Sequence, residues 1–370
     1  MKLRYKVLGG VVMFIAVTIS AGALYVGHDS DCGAPLAPPA GAPLMKAIVY
    51  HCYGGPEVLK LEDVAKPALA DNKVLIKVHA ASANPLDWHY MRGLPYLVRL
   101  WTGVGAPEHI TMGVDFAGIV EAVGKDVKRF KPGDEVFGAK GGAFGEYVSM
   151  TEDRAVALKP ANMSFEQAAA VPIAAITALQ ALRDKGHVQR GQKVLINGAS
   201  GGVGTFAVQI AKSLGADVTG VCSTRNVQMV RSIGADHVID YSKENFTEGS
   251  LKFDLILDTV GNHTLSELRR ALAPTATAIQ IAGRGSQGEQ WFWPILGPAK
   301  AAAYSWFVGQ TFSGFTADEN KEDLAVLSNM MQAGNLMPVI DRRYSLSGVP
   351  AAIAYLEGGH ARGKVVITLE

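Results

Sequence analysis

The spacing of hydrophobic positions changes abruptly within residues 193–212. Residues 194–196 form a short apolar run, which is typical of a strand buried on both faces. Apolar residues then recur at the spacing of one helix face. A strand, a glycine turn and a helix in this order place backbone N–H groups and a helix N-terminus where a pyrophosphate binds. The same pattern also fits a tight turn without a ligand. The glycines between strand and helix are Gly198, Gly201, Gly202 and Gly204.

Apolar runs alternate with helical patterns after this turn. The alternation predicts a parallel, doubly wound α/β sheet. The predicted strands are residues 217–221, 237–240, 253–258 and 277–282.

The first part of the folded chain, residues 46–150, has a different pattern of short strands and turns. Residues 73–78 alternate imperfectly between apolar and polar, as in a strand of a small, partly covered barrel. Ser164 and Gln167 predict a capping box at the start of an alanine-rich helix. The last 27 residues predict a short helix and a final strand that rejoins the barrel.

The N-terminus begins with Lys2, Arg4 and Lys6, followed by an uncharged run at residues 7–26 that is long enough to cross a bilayer. A retained membrane anchor over residues 1–28 is favoured over a cleaved signal peptide. Residues 29–44, rich in proline, alanine and glycine, predict an extended linker. The basic residues favour a cytoplasmic N-terminus and therefore an outward-facing domain. The supply of a reduced nucleotide favours the opposite, so the side of the membrane stays open.

Composition narrows the choice of function. The formal charge of the 370 residues is +1, so the overall balance gives no sign of a nucleic-acid partner. Three cysteines (Cys32, Cys52 and Cys222) are too few and too scattered for a disulfide framework or a four-cysteine zinc lobe.

Six sequence motifs occur in a fixed order along the chain: GGPEVL (54–59), NPLDW (84–88), GVDFAGIVEAVG (113–124), KPGDEVFG (131–138), NGASGGVG (197–204) and HARGKVVI (360–367). Their joint occurrence resembles the medium-chain dehydrogenase/reductase superfamily, in its zinc-free quinone reductase-like branch. The resemblance covers residues 45–370. It implies a GroES-like barrel from residues 45–168 and 317–370, an inserted Rossmann domain at residues 169–316, and a nicotinamide cleft between them.

Zinc-dependent members of this superfamily carry a cysteine where this chain has Asn84 and a histidine where it has Val114. A carboxamide and an isopropyl group are not zinc ligands, so no metal site is expected there. Other residues of types that bind metals could in principle form a different metal site, but they lack the spacing of metal ligands. These residues are His79, His89, His109, Asp87 and Asp115. Without a Lewis acid, hydride transfer to a quinone or an enone fits better than alcohol oxidation.

The residues expected to bind the adenosine phosphate favour NADPH. An NAD-specific site carries an acidic residue at the end of the second Rossmann strand, whereas this chain has Ser223, Thr224 and Arg225. A guanidinium suits a 2′-phosphate, although Arg225 can also be a solvated loop residue. Tyr241 aligns with a phosphate-contacting tyrosine of this branch, and Val227 stands where the relatives have a lysine.

The resemblance also supplies candidates around the rest of the nucleotide. Asn84 either binds a substrate oxygen or fixes the local turn, and Thr177 can simply bond its own helix backbone. His89 and Tyr90 are either proton donors or cleft wall, and solvent can also supply the proton. The candidate catalytic residues are Asn84, Asp87, His89, Tyr90 and Thr177. The remaining cofactor contacts are Thr177, Gly198, Ser200, Gly201, Gly202, Val203, Gly204, Val260 and Gly283.

The function predicted from these residues is an NADPH-dependent, zinc-free reductase of quinones or other activated carbonyls. An enone or alkenal double-bond reductase and a membrane-tethered, non-catalytic NADPH-binding module are the alternatives. An aromatic group is expected in the core or at a homodimer contact, rather than in a substrate lid: Trp291, Phe292, Trp293, Trp306 and Phe307.

Overall fold

A computed structural model of the chain describes residue 22 and residues 24–33, 37–281 and 293–369, except for the side chains of residues 293–296. The strands are β1 (Leu44–Val49), β2 (Lys60–Ala65), β3 (Lys73–Ala83), β4 (Asp115–Val123), β5 (Glu135–Ala139), β6 (Tyr147–Thr151), β7 (Val156–Leu158), β8 (Lys193–Asn197), β9 (Asp217–Cys222), β10 (His237–Asp240), β11 (Phe253–Asp258), β12 (Leu272–Ile281), β13 (Thr311–Phe315), β14 (Ile340–Ser345) and β15 (Lys364–Thr368). The helices are α1 (Pro85–Arg92), α2 (Arg99–Thr102), α3 (Phe165–Ala169), α4 (Pro172–Gln180), α5 (Gly202–Ser213), α6 (Val227–Ser232), α7 (Leu265–Ala271), α8 (Trp293–Ser305), α9 (Lys321–Gln332) and α10 (Val349–Glu357).

The α/β unit contains a six-stranded parallel sheet with the order β10-β9-β8-β11-β12-β13. This is the order of a dinucleotide-binding sheet, whose reversal point lies between β8 and β11. The predicted parallel sheet is confirmed. The strand predicted at residues 277–282 already begins at Leu272, and residue 282 lies outside the described residues.

The second sheet has seven strands, in the order β14-β15-β3-β4-β5-β7, with β6 also pairing with β3. Its central strand β3 bonds antiparallel to β15 near the other end of the chain, with Val365 opposite Ala83. The prediction that the final strand rejoins the N-terminal barrel is therefore correct. The Ser164–Gln167 capping box at the start of α3 is also present.

Helix α4 lies in the apolar core that joins the two sheets. A single buried cluster includes Phe137 of β5, Ile176 of α4 and Ile196 of β8. Nearly all of α4 is buried because it packs against both units. This shared core fixes the carboxyl ends of the parallel strands against the seven-stranded sheet, where the candidate site lies.

No helix within the described ranges is long and apolar enough to cross a membrane. The predicted anchor falls mostly on residues 1–21, outside the described residues, and of its end residue 22 and residues 24–27 are described as helix. The structure therefore adds no support for the anchor, which stays a prediction.

The predicted linker is attached to the domain at its start. Cys32 forms a disulfide with Cys52, and their Cα atoms are 4.7 Å apart. The Ser30 amide also donates to the Gly105 carbonyl at 2.9 Å. The small number of cysteines led only to the prediction that no framework of several disulfides is present, and it did not reveal this single bond. Cys222 is a buried free thiol.

The aromatic group beyond β12 is only partly described. Trp306 and Phe307 are both more than four-fifths exposed, so a core position for these two is wrong. Their homodimer role stays a prediction. Trp291 and Phe292, and the side chain of Trp293, lie outside the described part of the chain.

Candidate active site between the two sheets

The glycine turn joins β8 to α5 at the carboxyl edge of the parallel sheet. Gly198 has a φ of 85°, and a Cβ there would lie 2.4 Å from the Thr259 hydroxyl oxygen. A Cβ on Gly204 would lie 2.0 Å from the Gly198 carbonyl oxygen, so close packing of helix on turn requires glycine. At Gly201, the N-cap of α5, a Cβ would meet only the Gly198 oxygen, at 3.4 Å. The turn therefore leaves open space at the helix N-terminus, as a pyrophosphate requires. Ser200 lies in the same turn, and Gly202 and Val203 are the first two residues of α5.

A second turn, after β11, borders the same edge. The Asp258 carboxylate accepts the backbone N–H groups of Val260, at 3.1 Å, and Gly261, at 3.0 Å. Its Oδ1 also accepts the Asn197 amide from the end of β8. This buried carboxylate thereby holds the two strand ends that flank the reversal point. Gly283, predicted nearby, lies outside the described residues.

Asn226 provides a test of whether these residues fit a dinucleotide. Its amide Nδ2 donates to the hydroxyls of Ser200, at 3.0 Å, and Ser223, at 3.2 Å. Its Oδ1 is buried and has no hydrogen-bond partner among the described residues. A buried amide oxygen without a partner is costly, and a ligand hydroxyl such as that of a ribose would satisfy it. The open glycine turn and this acceptor together fit a nicotinamide dinucleotide.

In the loop after β9, two side chains predicted to bind the phosphate already form hydrogen bonds within the protein. The Thr224 hydroxyl donates to Asp240 Oδ2 at 2.6 Å and is therefore already bonded to a carboxylate. Hydrogen bonds from Ser242 and then Thr224 hold the pKa of Asp240 well below its usual range. Arg225 extends over the surface, where its Nη2 donates to the His360 carbonyl at 3.0 Å. Tyr241 is exposed beside them.

A buried polar network forms the opposite wall. Asp115 Oδ2 accepts the Ser82 hydroxyl at 3.0 Å, the Asn84 amide at 2.9 Å and the Lys364 ammonium at 3.3 Å. Its Oδ1 accepts the Ile173 N–H at 3.0 Å, in the first turn of α4. The Lys364 ammonium also donates to Asn84 Oδ1 at 2.5 Å. The amide of Asn84 is thus bonded within the protein at both ends, which favours its structural role.

Lys364 also reaches the glycine turn. The neighbouring Gly363 N–H donates to the Ser200 carbonyl at 2.9 Å. A Cβ on Gly202 would lie 3.4 Å from the Cδ of Lys364. The start of β15 therefore connects the network of the seven-stranded sheet directly to the cofactor turn of the parallel sheet.

Asp87 is buried one helical turn from Asn84. Its carboxylate accepts the Asn84 backbone N–H at 2.7 Å at the start of α1. Burial is the main cause that raises the pKa of Asp87 to about 7; the hydrogen bond from the Asn84 backbone opposes this shift, the Asp115 carboxylate adds to it and Lys364 opposes it. Asp87 is therefore partly protonated near neutral pH and supports α1 without a full buried charge.

The two predicted proton donors differ in their chemistry. His89 Nδ1 lies 2.8 Å from the Leu94 carbonyl, which can only accept, so Nδ1 carries the proton. Burial lowers the pKa of His89, so the ring is neutral and its Nε2 is an acceptor. Burial raises the pKa of Tyr90, so its phenol keeps a transferable proton. Of these two side chains, only Tyr90 can donate at neutral pH.

Thr177 lies on α4 and is mostly buried. Its hydroxyl donates to the Ile173 carbonyl at 2.7 Å, the backbone bond that its helical position allows. The hydroxyl oxygen of Thr177 can still accept a hydrogen bond, but its proton is already donated to the Ile173 carbonyl. Thr177 therefore bonds to Ile173, the same residue whose backbone N–H donates to Asp115.

Comparisons with known proteins agree with this geometry. The sequence model for the alcohol dehydrogenase GroES-like domain matches residues 70–160, and that for zinc-binding dehydrogenases matches residues 233–367. The 2-methylene-furan-3-one reductase of Solanum lycopersicum is 35% identical over 87% of this chain and 79% of its own length. Human quinone oxidoreductase is 34% identical over 89% of this chain and 99% of its own length.

Solved structures give the same result. The quinone oxidoreductase of Coxiella burnetii has a TM-score of 0.78 and 32% identity, covering 89% of this chain and 100% of its own. The Escherichia coli quinone oxidoreductase, complexed with NADPH, has a TM-score of 0.74 and 26% identity, covering 87% and 99%. This chain belongs to the medium-chain dehydrogenase/reductase superfamily, in its quinone reductase-like branch. It is an NAD(P)H-dependent oxidoreductase with a GroES-like and a Rossmann-like unit.

The positions that bind zinc in other members of the superfamily have a different chemistry here. Asn84 takes part in the Asp115–Lys364 network, and Val114 is a buried apolar residue. No group of three potential ligands that could hold a metal ion occurs among the described residues. A chain without zinc chemistry stays our prediction.

Sequence reasoning missed two central residues of this wall. Asp115 was considered only as part of a weak metal set, and Lys364 only as a letter of the HARGKVVI motif. The available signal was a charged residue inside each of two strongly apolar strands, since such residues are rarely buried unless paired.

The buried ion pair leads to a stability prediction. Lys364→Met leaves the Asp115 charge without its cationic partner, so we expect the free energy of unfolding to fall by about 3–5 kcal/mol. Lys125→Met is the control, because Lys125 pairs with Asp71 at the exposed surface and should cost at most about 1 kcal/mol. Urea denaturation measures both. Equal losses in the two variants would contradict a structural role for the buried pair.

Asp87 leads to a pH prediction. Its folded pKa of about 7 lies above the ordinary 3.8, so the folded state binds more protons than the unfolded state in this window. The contribution of Asp87 to stability is therefore present at low pH and is lost as pH rises to 7, by up to about 1.4 kcal/mol per pH unit. Asp87→Asn should remove this slope, whereas Asp126→Asn, at an exposed position, should keep it. Identical slopes in wild type and Asp87→Asn would show that Asp87 titrates normally.

Proposed function

We propose that this protein is an NADPH-dependent, zinc-free reductase of quinones or other activated carbonyl compounds. The observation that carries the proposal is the contact between the glycine turn and the Asp115–Lys364–Asn84 network, through Gly363 and Ser200. This contact sets an open dinucleotide cradle against a wall of fixed polar groups. The similarity to quinone oxidoreductases supports the acceptor class.

The chain's own residues mainly bind and orient. When bound, a reduced nicotinamide would supply a hydride, and the open N-terminus of α5 would hold the pyrophosphate. Asp258 fixes the Val260 turn beside the ring site, and Thr177 offers an acceptor oxygen. The wall held by Asn84 keeps its shape during turnover because its hydrogen bonds are made within the protein.

Proton delivery falls to Tyr90 or to solvent. Neutral His89 has its only ring proton on Nδ1, bonded to the Leu94 carbonyl. The phenol of Tyr90 keeps its proton at neutral pH because burial raises its pKa. His89 therefore acts as cleft wall, where it stacks on Trp88.

Reduction of an enone carbon–carbon double bond is the second candidate. The relative from Solanum lycopersicum, named as a 2-methylene-furan-3-one reductase, favours it. The same hydride geometry serves both reactions, because both acceptors already carry an electron-poor carbon or oxygen. A non-catalytic NADPH-binding role would leave the polar wall and Tyr90 without a task.

A substrate panel tests the proposal. NADPH oxidation is followed with a water-soluble quinone, an enone and a simple ketone, with and without a chelator. We expect turnover of the quinone or the enone, unaffected by the chelator because no zinc takes part. Reduction of the simple ketone alone, lost on chelation, would overturn the proposal. NADPH binding without turnover of any acceptor would support the binding module instead.

Arg225 carries the proposed preference for NADPH. Arg225→Ala should weaken NADPH binding by about 1.5–3 kcal/mol, the typical value of a hydrogen bond to a charged group. NADH binding should hardly change, because NADH lacks the 2′-phosphate. Arg231→Ala, at an exposed position on α6, is the matched control and should change neither. Fluorescence titration measures all four affinities. Equal losses for NADPH and NADH would remove Arg225 from the phosphate site.

The membrane attachment also belongs to this proposal. Residues 7–26 are uncharged and follow three basic residues, which supports a retained anchor. A disulfide between Cys32 and Cys52 is typical of an oxidising compartment and supports an outward-facing domain.

A further inference from the structure

Four large apolar side chains are exposed as two pairs of sequence neighbours, one near the start of the described chain and one in α2. Leu24, Tyr25, Leu100 and Trp101 are between 55% and 78% exposed, and we call them the apolar patch. Single exposed apolar residues are common, but two adjacent pairs held by one side chain are a different case.

That side chain is Arg99, which is buried at the start of α2 immediately before Leu100. Its Nη1 donates to the carbonyls of Val26, at 3.4 Å, and His28, at 3.1 Å. Its Nη2 forms an ion pair with Asp29 at 2.8 Å. Because Val26 directly follows Tyr25, both halves of the patch lie within the reach of one arginine.

Further contacts fix this segment on the domain. Asp29 and Ser30 bridge to Gly105, and the Cys32–Cys52 disulfide follows. The Arg99 guanidinium also lies over the ring of Tyr53, 4.4 Å from its centroid. The chain is thus attached at several successive points between residues 26 and 32, and its orientation on the domain is set.

The chain preceding the patch indicates what covers it. The uncharged run of residues 7–26 ends at the patch, so its last residues belong to both. Tryptophan and tyrosine with neighbouring leucines are the residues found where a protein meets the boundary of a bilayer. A second copy of this chain would not explain why the apolar run enters at this place.

The same arginine connects the patch to the candidate active site. Arg99 Nε donates to the Gly93 carbonyl at 2.9 Å, and Nη2 donates to the Arg92 carbonyl at 3.4 Å, at the end of α1. Helix α1 begins at Asn84 and carries Asp87 and Tyr90. The patch and the polar wall of the cleft are therefore connected through Arg99 and α1.

We propose that the apolar patch rests on a lipid bilayer and holds the cleft close to the membrane surface, so that the acceptor is a quinone or enone dissolved in the lipid. The part that names the acceptor rests on the proposed reductase function; the docking of the patch does not. The anchor alone would leave the domain free to rotate, whereas the clamped patch gives it one orientation.

Tryptophan quenching tests the docking. Full-length protein is reconstituted in phosphatidylcholine vesicles whose acyl chains carry bromine, which quenches tryptophan on contact. We expect Trp101→Phe to remove most of the quenching seen in the wild type, because Trp101 lies in the patch. Trp306→Phe is the matched control, since Trp306 is equally exposed but lies in the parallel-sheet unit, and it should keep the quenching. Equal quenching in wild type and Trp101→Phe, or failure of the full chain to bind vesicles, would overturn the proposal.

Kinetics test the acceptor separately. Leu100→Ser combined with Trp101→Ser should raise the KM for a long-tailed quinone held in the vesicles severalfold and leave that for a water-soluble quinone unchanged. An unchanged KM for both quinones would overturn the lipid-dissolved acceptor. If the wild type does not turn over the water-soluble quinone, only the proposed reductase function is contradicted. The docking is not affected, because the quenching result is independent of activity. A patch that is protected from bromine and whose variants change the molecular mass in solution would show a second copy instead of lipid and overturn the docking.

Discussion

The structure depends on one buried carboxylate. Asp115 bonds to groups from β3, from β15, from the N-cap of α1 and from α4, and it shares Lys364 with Asn84. Because an isolated buried charge is strongly unfavourable, these donors must all be in place when the chain folds. This requirement fixes the first strand and the last strand of the seven-stranded sheet against the helix that leads to the parallel sheet. The network contributes a defined geometry more than a large net stability.

The cleft follows from that constraint. Lys364 can reach Asn84 and Asp115 only if β15 passes beside the glycine turn, and Gly363 bonds to Ser200 at that point. The cofactor cradle and the polar wall are therefore held by backbone as well as by side chains. Burial leaves His89 neutral and Asp87 partly protonated, so the wall carries little charge that is not paired. A wall with so little unpaired charge suits an acceptor that is uncharged before it receives the hydride.

The sequence predicted what depends on local pattern. The glycine turn, the parallel strands and the Ser164 cap follow from periodicity and short-range chemistry, and each is present. The pairing of Lys364 with Asn84 joins residues 280 positions apart, and no local pattern reveals such a contact. The disulfide was missed for a similar reason, because cysteine number cannot say whether two residues of a proline-rich segment and a turn approach each other. The hydroxyl of Thr224 also looked available until Asp240, from the neighbouring strand, proved to bind it.

The attachment of residues 26–32 changes the meaning of the proline-rich segment. A free linker of this composition would separate the domain from whatever its N-terminus binds. Here the Arg99 contacts and the disulfide hold residues 26–32 on the domain, so the described end of the apolar run lies at the domain surface. The proposed anchor would meet the domain at this surface and would be connected to α1, since Arg99 bonds to the end of that helix. In that proposal a single buried guanidinium couples membrane attachment to the position of the cleft.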